Sequence, residues 1–306
     1  TDRTRRRQSN YLKYSQTLYQ WLIKPLEGAL AEGDIGHLSF IMAPGLRSLP
    51  LAALHDGEQF IIENYTIGLM PSLALTDTRY TDLRQAPVLA MGASEFTDQP
   101  ALPAVPFELE TIVENLRTGT RDLNEQFTPN NLVALRSASE YQILHLATHG
   151  EFRSGGPENS YIQFWDQRLG LDQLRELQLN NPPLDLLVMS ACRTALGDTS
   201  AELGFAGLAV QAGVKSALAS LWQVSDLETA GLMTEFYTQL SQQPYKAEAL
   251  RQAQLAMLRG EVTVTDGVLQ WNGGSQPLPA DLVNLRFGDT RHPYYWAAFT
   301  LVGSPW

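Results

Sequence analysis

The sequence predicts an α/β fold built around a mainly parallel sheet. Short apolar runs recur along the 306 residues and alternate with segments of helical periodicity. The clearest run, Leu186 to Met189, leads directly into Ser190-Ala191-Cys192. Apolar runs this short, closed by small residues, are typical of strands that are covered on both faces, as in a parallel sheet. Alternation of such strands with helices is the pattern of α/β domains, so we expect this class.

Composition and charge narrow the range of partners. Hydrophobic residues make up 44% of the chain and charged residues 18%, as in an ordinary globular protein. The net charge of −11 argues against a broad surface for nucleic acid or for an anionic membrane. The single cysteine permits no internal disulfide and no cysteine-rich zinc site. We therefore expect no nucleic-acid partner, no membrane partner, no metal and no cofactor.

The chain shows no targeting signal. No apolar run is long enough to cross a bilayer, and the N-terminus lacks the apolar core of a signal peptide. We therefore expect a cytoplasmic protein. The sequence starts at Thr1 without a methionine, which suggests a fragment of something longer.

The N-terminal segment is expected to precede the main domain. Residues 1–10 are polar and rich in arginine, which is typical of a solvated linker. From Tyr11 to Leu30 apolar residues recur at helical spacing, and Pro25 predicts a bend in this helix. We divide the chain into a linker and amphipathic helix at 1–36 and a main domain at 37–306.

Further elements follow in order along the main domain. Strands are expected at 37–42, 59–69, 87–92, 141–147, 215–222 and 295–302, and a hairpin at 262–271 around Asp266-Gly267. Helices are expected at 108–116, 171–177, 201–212, 227–240 and 247–258. Another begins at Thr128, which suits the N-cap, and Pro129, which suits the first turn.

Cys192 and His149 are the candidate nucleophile and base. Each follows a predicted strand, and the segment between them has room for one helix and a return strand. A right-handed crossover would make the two strands parallel neighbours, so both residues would emerge at the same sheet edge. His149 could then activate Cys192, while the amides of Gly150 and Cys192 could bind an oxyanion. A buried structural cysteine near a hydrogen-bonded histidine would give the same spacing, and spacing alone leaves both possibilities open.

His145 is expected to play a different role. It lies four residues before His149, but no glutamate follows it and the stretch reads as strand, so this is not a zincin motif. Because it falls inside an apolar run, we expect a core histidine that is hydrogen-bonded to a neighbour.

Four co-linear motifs resemble the CHAT family, caspase-like domains that are usually joined to tetratricopeptide repeats. These motifs are HLATHG at 145–150, SACRT at 190–194, SLWQVSD at 220–226 and HPYYWAAF at 292–299. The similarity extends from about residue 37 to 306. It implies a caspase-like three-layer fold, with helices on both faces of a mainly parallel six-stranded sheet. It also implies a cysteine-protease dyad of His149 and Cys192, a protein or peptide substrate, and an upstream repeat domain or regulatory protein as partner.

The sequence leaves two preferences open for the residue before the scissile bond, one for a basic and one for an acidic side chain. Asp226 lies in a stretch that is similar to one in separases, relatives with arginine specificity, and an acidic pocket floor would favour arginine or lysine. The same residue, after Ser225, would also suit a helix cap. Asp198 is a second acidic candidate. Arg47 and Arg193 could instead suit an acidic substrate residue, as in caspases.

Two further features have open interpretations. Trp222 could form the wall of a substrate pocket beside a strand edge that pairs with an extended peptide, or it could be a core residue. The long segment at 260–294 could gate the groove or be a surface insertion.

The leading hypothesis is therefore a cysteine endopeptidase, with a non-catalytic interaction module as the main rival. A nucleotide-dependent enzyme is remote, because the chain has neither a Gly-x-Gly-x-x-Gly sequence after its first strand nor a Walker A sequence. A serine hydrolase is unsupported, because no Gly-x-Ser-x-Gly elbow is present.

Overall fold

The structure, a computed structural model, describes residues 2–43, 46–151, 160–190, 192–193, 210 and 212–306. A main sheet of eight strands runs through this part of the chain. Its strands are β1 (His37–Phe40), β2 (Thr66–Leu69), β3 (Val88–Gly92), β4 (Gly119–Leu123), β5 (Ile143–Ala147), β9 (Leu186–Met189), β11 (Ser216–Ser220) and β15 (Phe299–Gly303). Their order across the sheet is β1-β2-β15-β11-β9-β5-β3-β4. All neighbours are parallel except β11 and β15, which are antiparallel. The predicted α/β class is confirmed.

The prediction of six strands is too low. The sheet includes β4, which the sequence analysis did not identify because its residues are Gly-Thr-Arg-Asp-Leu and none of them is fully buried. β1 is also only partly buried. Both strands lie at the edges of the sheet, where one side of the strand faces away from the ladder and the apolar signal is weak.

The central strands separate two hydrophobic layers. Val88 and Ala90 of β3 belong to one apolar cluster, whereas Leu89 and Met91 belong to the other. Successive side chains of a strand point to opposite faces, so the sheet is covered on both sides and the domain has three layers.

Helices cover the two faces. They are α1 (Asp2–Leu22), α2 (Glu27–Glu32), α3 (Val105–Glu110), α4 (Pro129–Ala138), α5 (Asp226–Leu240), α6 (Lys246–Arg259) and α7 (Pro293–Trp296). α3 continues as a π-helical turn at Thr111–Leu116, and a 3₁₀ helix spans Leu171–Leu177. The Thr128 side chain accepts a hydrogen bond from the Asn131 amide, with Pro129 in the first turn, which confirms the predicted cap.

The N-terminal segment differs from the expected linker. α1 already begins at Asp2, and it is followed by a 3₁₀ turn at Lys24–Leu26, so the bend predicted at Pro25 is an interruption of the helix. Tyr19 and Ile23 are buried in the domain, and the Ser15 hydroxyl donates a 2.5 Å hydrogen bond to the Ala53 carbonyl. The helix is therefore packed against the main domain.

Two other elements need correction, and a third lies almost entirely outside the described residues. Within 59–69 only Thr66–Leu69 is strand, because Ile61–Glu63 forms a 3₁₀ turn. The last strand begins at Phe299, since Pro293–Trp296 is helical and the His292 side chain caps it. The helix expected at 201–212 falls almost entirely outside the described residues.

Two small sheets complete the fold. One joins β10 (Cys192–Arg193), β6 (Gly150–Glu151), β7 (Tyr161–Gln163) and β8 (Arg168–Gly170) in that order. The other contains β12 (Thr263–Thr265), β13 (Val268–Trp271) and β14 (Gly274–Pro277). Positive φ angles of 52° at Asp266 and 72° at Gly267 form the predicted hairpin turn. No helix in the described part of the chain is long and apolar enough to span a membrane.

Candidate active site

The strands that precede His149 and Cys192 are parallel neighbours. β5 pairs with β9 from Ile143 opposite Leu186 to Leu146 opposite Met189. Each of these two strands is followed by a strand of the small sheet, where Cys192 pairs with Gly150 and Arg193 with Glu151 in parallel register. Adjacent strands are spaced about 4.8 Å apart, so the Cys192 main chain lies next to the residue that follows His149. The predicted meeting of these two chain segments at one sheet edge is confirmed for the main chain.

The His149 imidazole is held by a loop that follows β3. Its Nε2 lies 2.7 Å from the Pro100 carbonyl oxygen, and its ring centroid lies 4.6 Å from that of Phe96. A carbonyl oxygen can only accept, so Nε2 donates the hydrogen bond and carries the proton of the neutral ring. Nδ1 is therefore the basic nitrogen of the imidazole.

The loop at 93–104 is fixed at both ends. At its start, the Ser94 amide donates to Asn124 Oδ1 at 2.9 Å, and at its end the Ala104 amide donates to Asp226 Oδ2 at 2.5 Å. The two ends are also joined, because the Leu102 amide donates to the Ser94 carbonyl at 2.9 Å. A loop with anchored ends presents its Pro100 carbonyl in a defined place, which orients the imidazole.

Asp226 is the first residue of α5 and is partly buried. Burial raises the pKa of its carboxyl group to about 7, and the nearby charges of Glu108 and Glu228 act in the same direction. The hydrogen bond from the Ala104 amide acts in the opposite direction and does not offset burial. At neutral pH this carboxyl group is therefore only about half ionised, and a cation beside it would favour the ionised form.

His145 is a core residue, as predicted. It is completely buried, its Nε2 lies 2.9 Å from Glu108 Oε1, and its Nδ1 lies 3.2 Å from the Tyr237 hydroxyl. Glu108 is itself only 1% exposed, so this is a buried acid–histidine pair beneath the sheet edge. Its partners hold the ring in the core, away from solvent.

Trp222 lies at the surface of the domain rather than within the core. The indole is partly exposed, and its Nε1 donates a 3.0 Å hydrogen bond to the Tyr294 carbonyl. The two rings stack with centroids 6.4 Å apart and an interplanar angle of 28°. The Tyr294 hydroxyl donates in turn to the Gln223 carbonyl at 2.8 Å. These contacts tie the 292–295 segment to the loop that follows β11.

The remaining candidates are Gly150, Arg47, Asp198 and Arg193. Gly150 is buried between β10 and β7. The partly buried Arg47 donates from Nε to the Met42 carbonyl at 3.0 Å. Asp198 lies outside the described residues, and only the main chain is described at Arg193. Among the described side chains no cluster of three histidine, cysteine or acidic residues could hold a metal ion.

The sequence indicates no third catalytic side chain, and the group that orients His149 is the main-chain carbonyl of Pro100. Every residue has a carbonyl, so no residue type could reveal this one. The position of the loop after β3, a neighbour of β5, was the only available signal.

These features define a caspase-like protease fold: a mainly parallel sheet with helices on both faces, and a histidine and a cysteine that follow adjacent central strands. The CHAT domain family matches residues 12–304, and the chain belongs to this family. No curated protein matches the sequence significantly.

Two solved structures of a cysteine proteinase show the same fold. The crystal structure of the Arg-specific cysteine proteinase gingipain R (RgpB) gives a TM-score of 0.52 at 10% identity, covering 96% of this chain and 66% of that one. The complex of the pro- and mature domains of Porphyromonas gingivalis RgpB gives 0.50 at 10% identity, covering 96% and 68%. The chain spans about two thirds of the length of these proteins, and at this identity the likeness concerns the fold alone.

Proposed function

We propose that the protein is a cysteine endopeptidase in which Cys192 is the nucleophile and His149 the base. The observation that supports this most directly is the parallel pairing of Cys192 with Gly150, which puts the cysteine main chain beside the residue that follows His149. The orientation of the imidazole by the Pro100 carbonyl adds to it, since Nδ1 is then the nitrogen that exchanges protons.

The proposed reaction has two steps. The Cys192 thiolate attacks a peptide carbonyl, while the amides of Gly150 and Cys192 hydrogen-bond to the oxyanion. The imidazolium of His149 protonates the leaving amine, which separates and leaves a thioester. His149 then deprotonates a water molecule, which attacks the thioester and releases the acid together with the free thiol.

The loop after β11 offers main-chain groups to an extended peptide. Within the described part of the chain, the amides of Trp222, Gln223 and Val224 make no hydrogen bond, although this stretch continues directly from β11. Edges of this kind bind substrates by strand addition. We propose that Trp222, stacked on Tyr294, is part of the pocket wall at this edge.

We also propose a preference for arginine or lysine before the scissile bond. Asp226 comes directly after this edge, and burial of its carboxylate favours pairing with a cation. Gingipain R, which shares this fold, is described as an Arg-specific cysteine proteinase, and that description agrees with the proposed preference. Asp198, which lies outside the described residues, stays the second acidic candidate. The rival preference for an acidic residue would use Arg47 or Arg193.

The test is cleavage of fluorogenic peptides by the wild type, Cys192→Ala and His149→Ala. Both variants should lose cleavage while their circular dichroism spectra stay unchanged. Full activity in either would contradict the dyad, and cleavage after aspartate but never after arginine or lysine would contradict the basic preference.

A non-catalytic interaction module is the alternative function. Reaction of Cys192 with a peptidyl electrophile separates the two, because an activated thiol is labelled faster than free cysteine and a structural thiol is not. Absence of labelling in the folded wild type would favour the interaction module.

A further inference from the structure

The loop at 93–104 carries the Pro100 carbonyl, and its middle is held by side chains rather than by its main chain. Within the described part of the chain, residues 95–101 make no main-chain to main-chain hydrogen bond. The main-chain amides that anchor the loop lie at its two ends. The place of the Pro100 carbonyl, and with it the orientation of the His149 imidazole, therefore depends on the side-chain contacts of the middle of the loop.

The antiparallel strands β7 and β8 supply polar side chains that contact this loop. Alternate residues of a strand share a face, so Tyr161 and Gln163 point the same way from β7. Gln99 Nε2 lies 3.3 Å from the Tyr161 hydroxyl oxygen and 3.5 Å from Gln163 Oε1. Asp98 Oδ2 lies 2.7 Å from Nη2 of Arg168, which is opposite Gln163 on β8. The two residues that precede the proline are thus linked to one face of the small sheet.

Of these contacts, the one between Gln99 and Tyr161 is better placed to hold the loop than the ion pair. The Arg168 and Asp98 side chains are 47% and 69% exposed, and ion pairs between exposed side chains add little to stability. Gln99 and Tyr161 are both partly buried. Water competes less for a hydrogen bond in such a position, so this bond contributes more to the place of the loop.

The Tyr161 hydroxyl also contacts the strand beside the dyad. It donates a 3.0 Å hydrogen bond to Glu151 Oε2, and Glu151 is opposite Tyr161 in the pairing of β6 with β7. On its other side β6 pairs with β10, which contains Cys192. One hydroxyl group therefore connects the loop that orients His149 with the sheet that holds the cysteine main chain.

We propose that Tyr161 is a positioning residue for the dyad, acting through Gln99. Its hydroxyl holds the Gln99 side chain, and this keeps the carbonyl of the next residue, Pro100, on the Nε2–H of His149. The imidazole then stays in the tautomer whose Nδ1 is basic. The kinetic part of this inference rests on the peptidase function proposed above.

Tyr161→Phe tests this proposal, because it removes the hydroxyl and keeps the ring beside the Arg168 guanidinium. The tautomer of His149 is measured by NMR of the protein labelled with ¹⁵N-histidine, at alkaline pH, where the ring is neutral. We expect the Nε2–H tautomer to dominate in the wild type, and a mixture of both tautomers in Tyr161→Phe and in Gln99→Ala. In each variant kcat should fall about fivefold with KM unchanged, as for the loss of one hydrogen bond. Because the hydroxyl acts through Gln99, the double variant should lose no more than either single variant.

Tyr141→Phe is the matched control. It also removes a tyrosine hydroxyl that forms a hydrogen bond, at 2.7 Å to Thr120, but it lies just before β5, at the opposite end of this strand from His149. The control should change neither the tautomer nor kcat. A tautomer change as large as that in Tyr161→Phe would contradict the proposal.

The NMR measurement requires no turnover, so it separates this proposal from the peptidase function. A mixture of tautomers in both variants would support the positioning role even if the wild type cleaves nothing. An unchanged tautomer in either variant would overturn that role, and cleavage by the wild type would then still support the peptidase. An active wild type whose kcat is unchanged in both variants, or losses that add in the double variant, would overturn it as well.

Discussion

Replacement of Asp226 by asparagine should stabilise the protein at alkaline pH. The asparagine side chain has nearly the same shape, and its carbonyl oxygen can accept the hydrogen bond that the Ala104 amide now donates to the carboxylate. The substitution therefore removes a charge from a partly buried position without removing the anchor of the 93–104 loop.

The expected magnitude follows from the rise in the pKa of this carboxyl group from 3.8 to about 7. Below pH 3.8 the group is protonated in both the folded and the unfolded chain, so it costs nothing. As the pH rises from 3.8 to 7, the unfolded chain loses this proton first, and the free energy of unfolding falls. Above pH 7 the free energy of unfolding has fallen by its full amount. The pKa difference alone corresponds to about 4 kcal/mol. Because water screens the charge at this partly open site, we expect about 2 kcal/mol.

Urea denaturation at pH 4, 6 and 8 measures this difference. Relative to the wild type, Asp226→Asn should gain little at pH 4 and about 2 kcal/mol at pH 8, whereas Asp281→Asn, at an exposed aspartate, should gain nothing. The same variant should lose about tenfold or more in kcat/KM for peptides cleaved after arginine, since the acidic group proposed to bind the arginine is removed. A stability difference that does not change with pH, or a less stable variant at pH 8, would refute the electrostatic reasoning.

Three other substitutions test the packing around the site. Phe96→Ala should lower kcat/KM about tenfold with little change in Tm, because it frees one face of the His149 ring, and an unchanged rate would show that the aromatic contact is dispensable. Gly92→Ala should destabilise the fold by about 3 kcal/mol in urea denaturation, since the new Cβ would lie 2.4 Å from the Ala147 carbonyl oxygen; a wild-type midpoint would contradict this contact. Glu108→Ala should cost about 3 kcal/mol because it leaves a buried histidine without its acid, and a loss below 1 kcal/mol would argue against the pair.

The sequence was sufficient to predict the central strands and the pairing of the chain segments that follow them. Leu186–Met189 and Ile143–Ala147 are fully buried apolar runs, so their residue types alone indicate strands. The crossover rule then makes them parallel neighbours, as the structure shows. Local composition and one topological rule were enough at these positions.

Contacts between distant parts of the chain were not predictable in the same way. The hydrogen bond between Ala104 and Asp226 joins residues 122 positions apart. No residue type in the sequence marks the Pro100 carbonyl as the partner of His149. The edge strand β4 was missed because a polar strand on the rim of a sheet lacks the periodicity of a buried one. These features depend on tertiary placement rather than on residue type.

The position of β15 has a consequence for the order in which the chain can become functional. This strand comes last along the sequence, yet it inserts between β2 and β11 and joins the first pair of strands to the remaining five. Before residues 299–303 have been synthesised, the chain already contains His149 and Cys192, but no strand joins β1 and β2 to the other five strands of the sheet. An enzyme of the proposed kind would therefore complete its sheet only when this strand has been added.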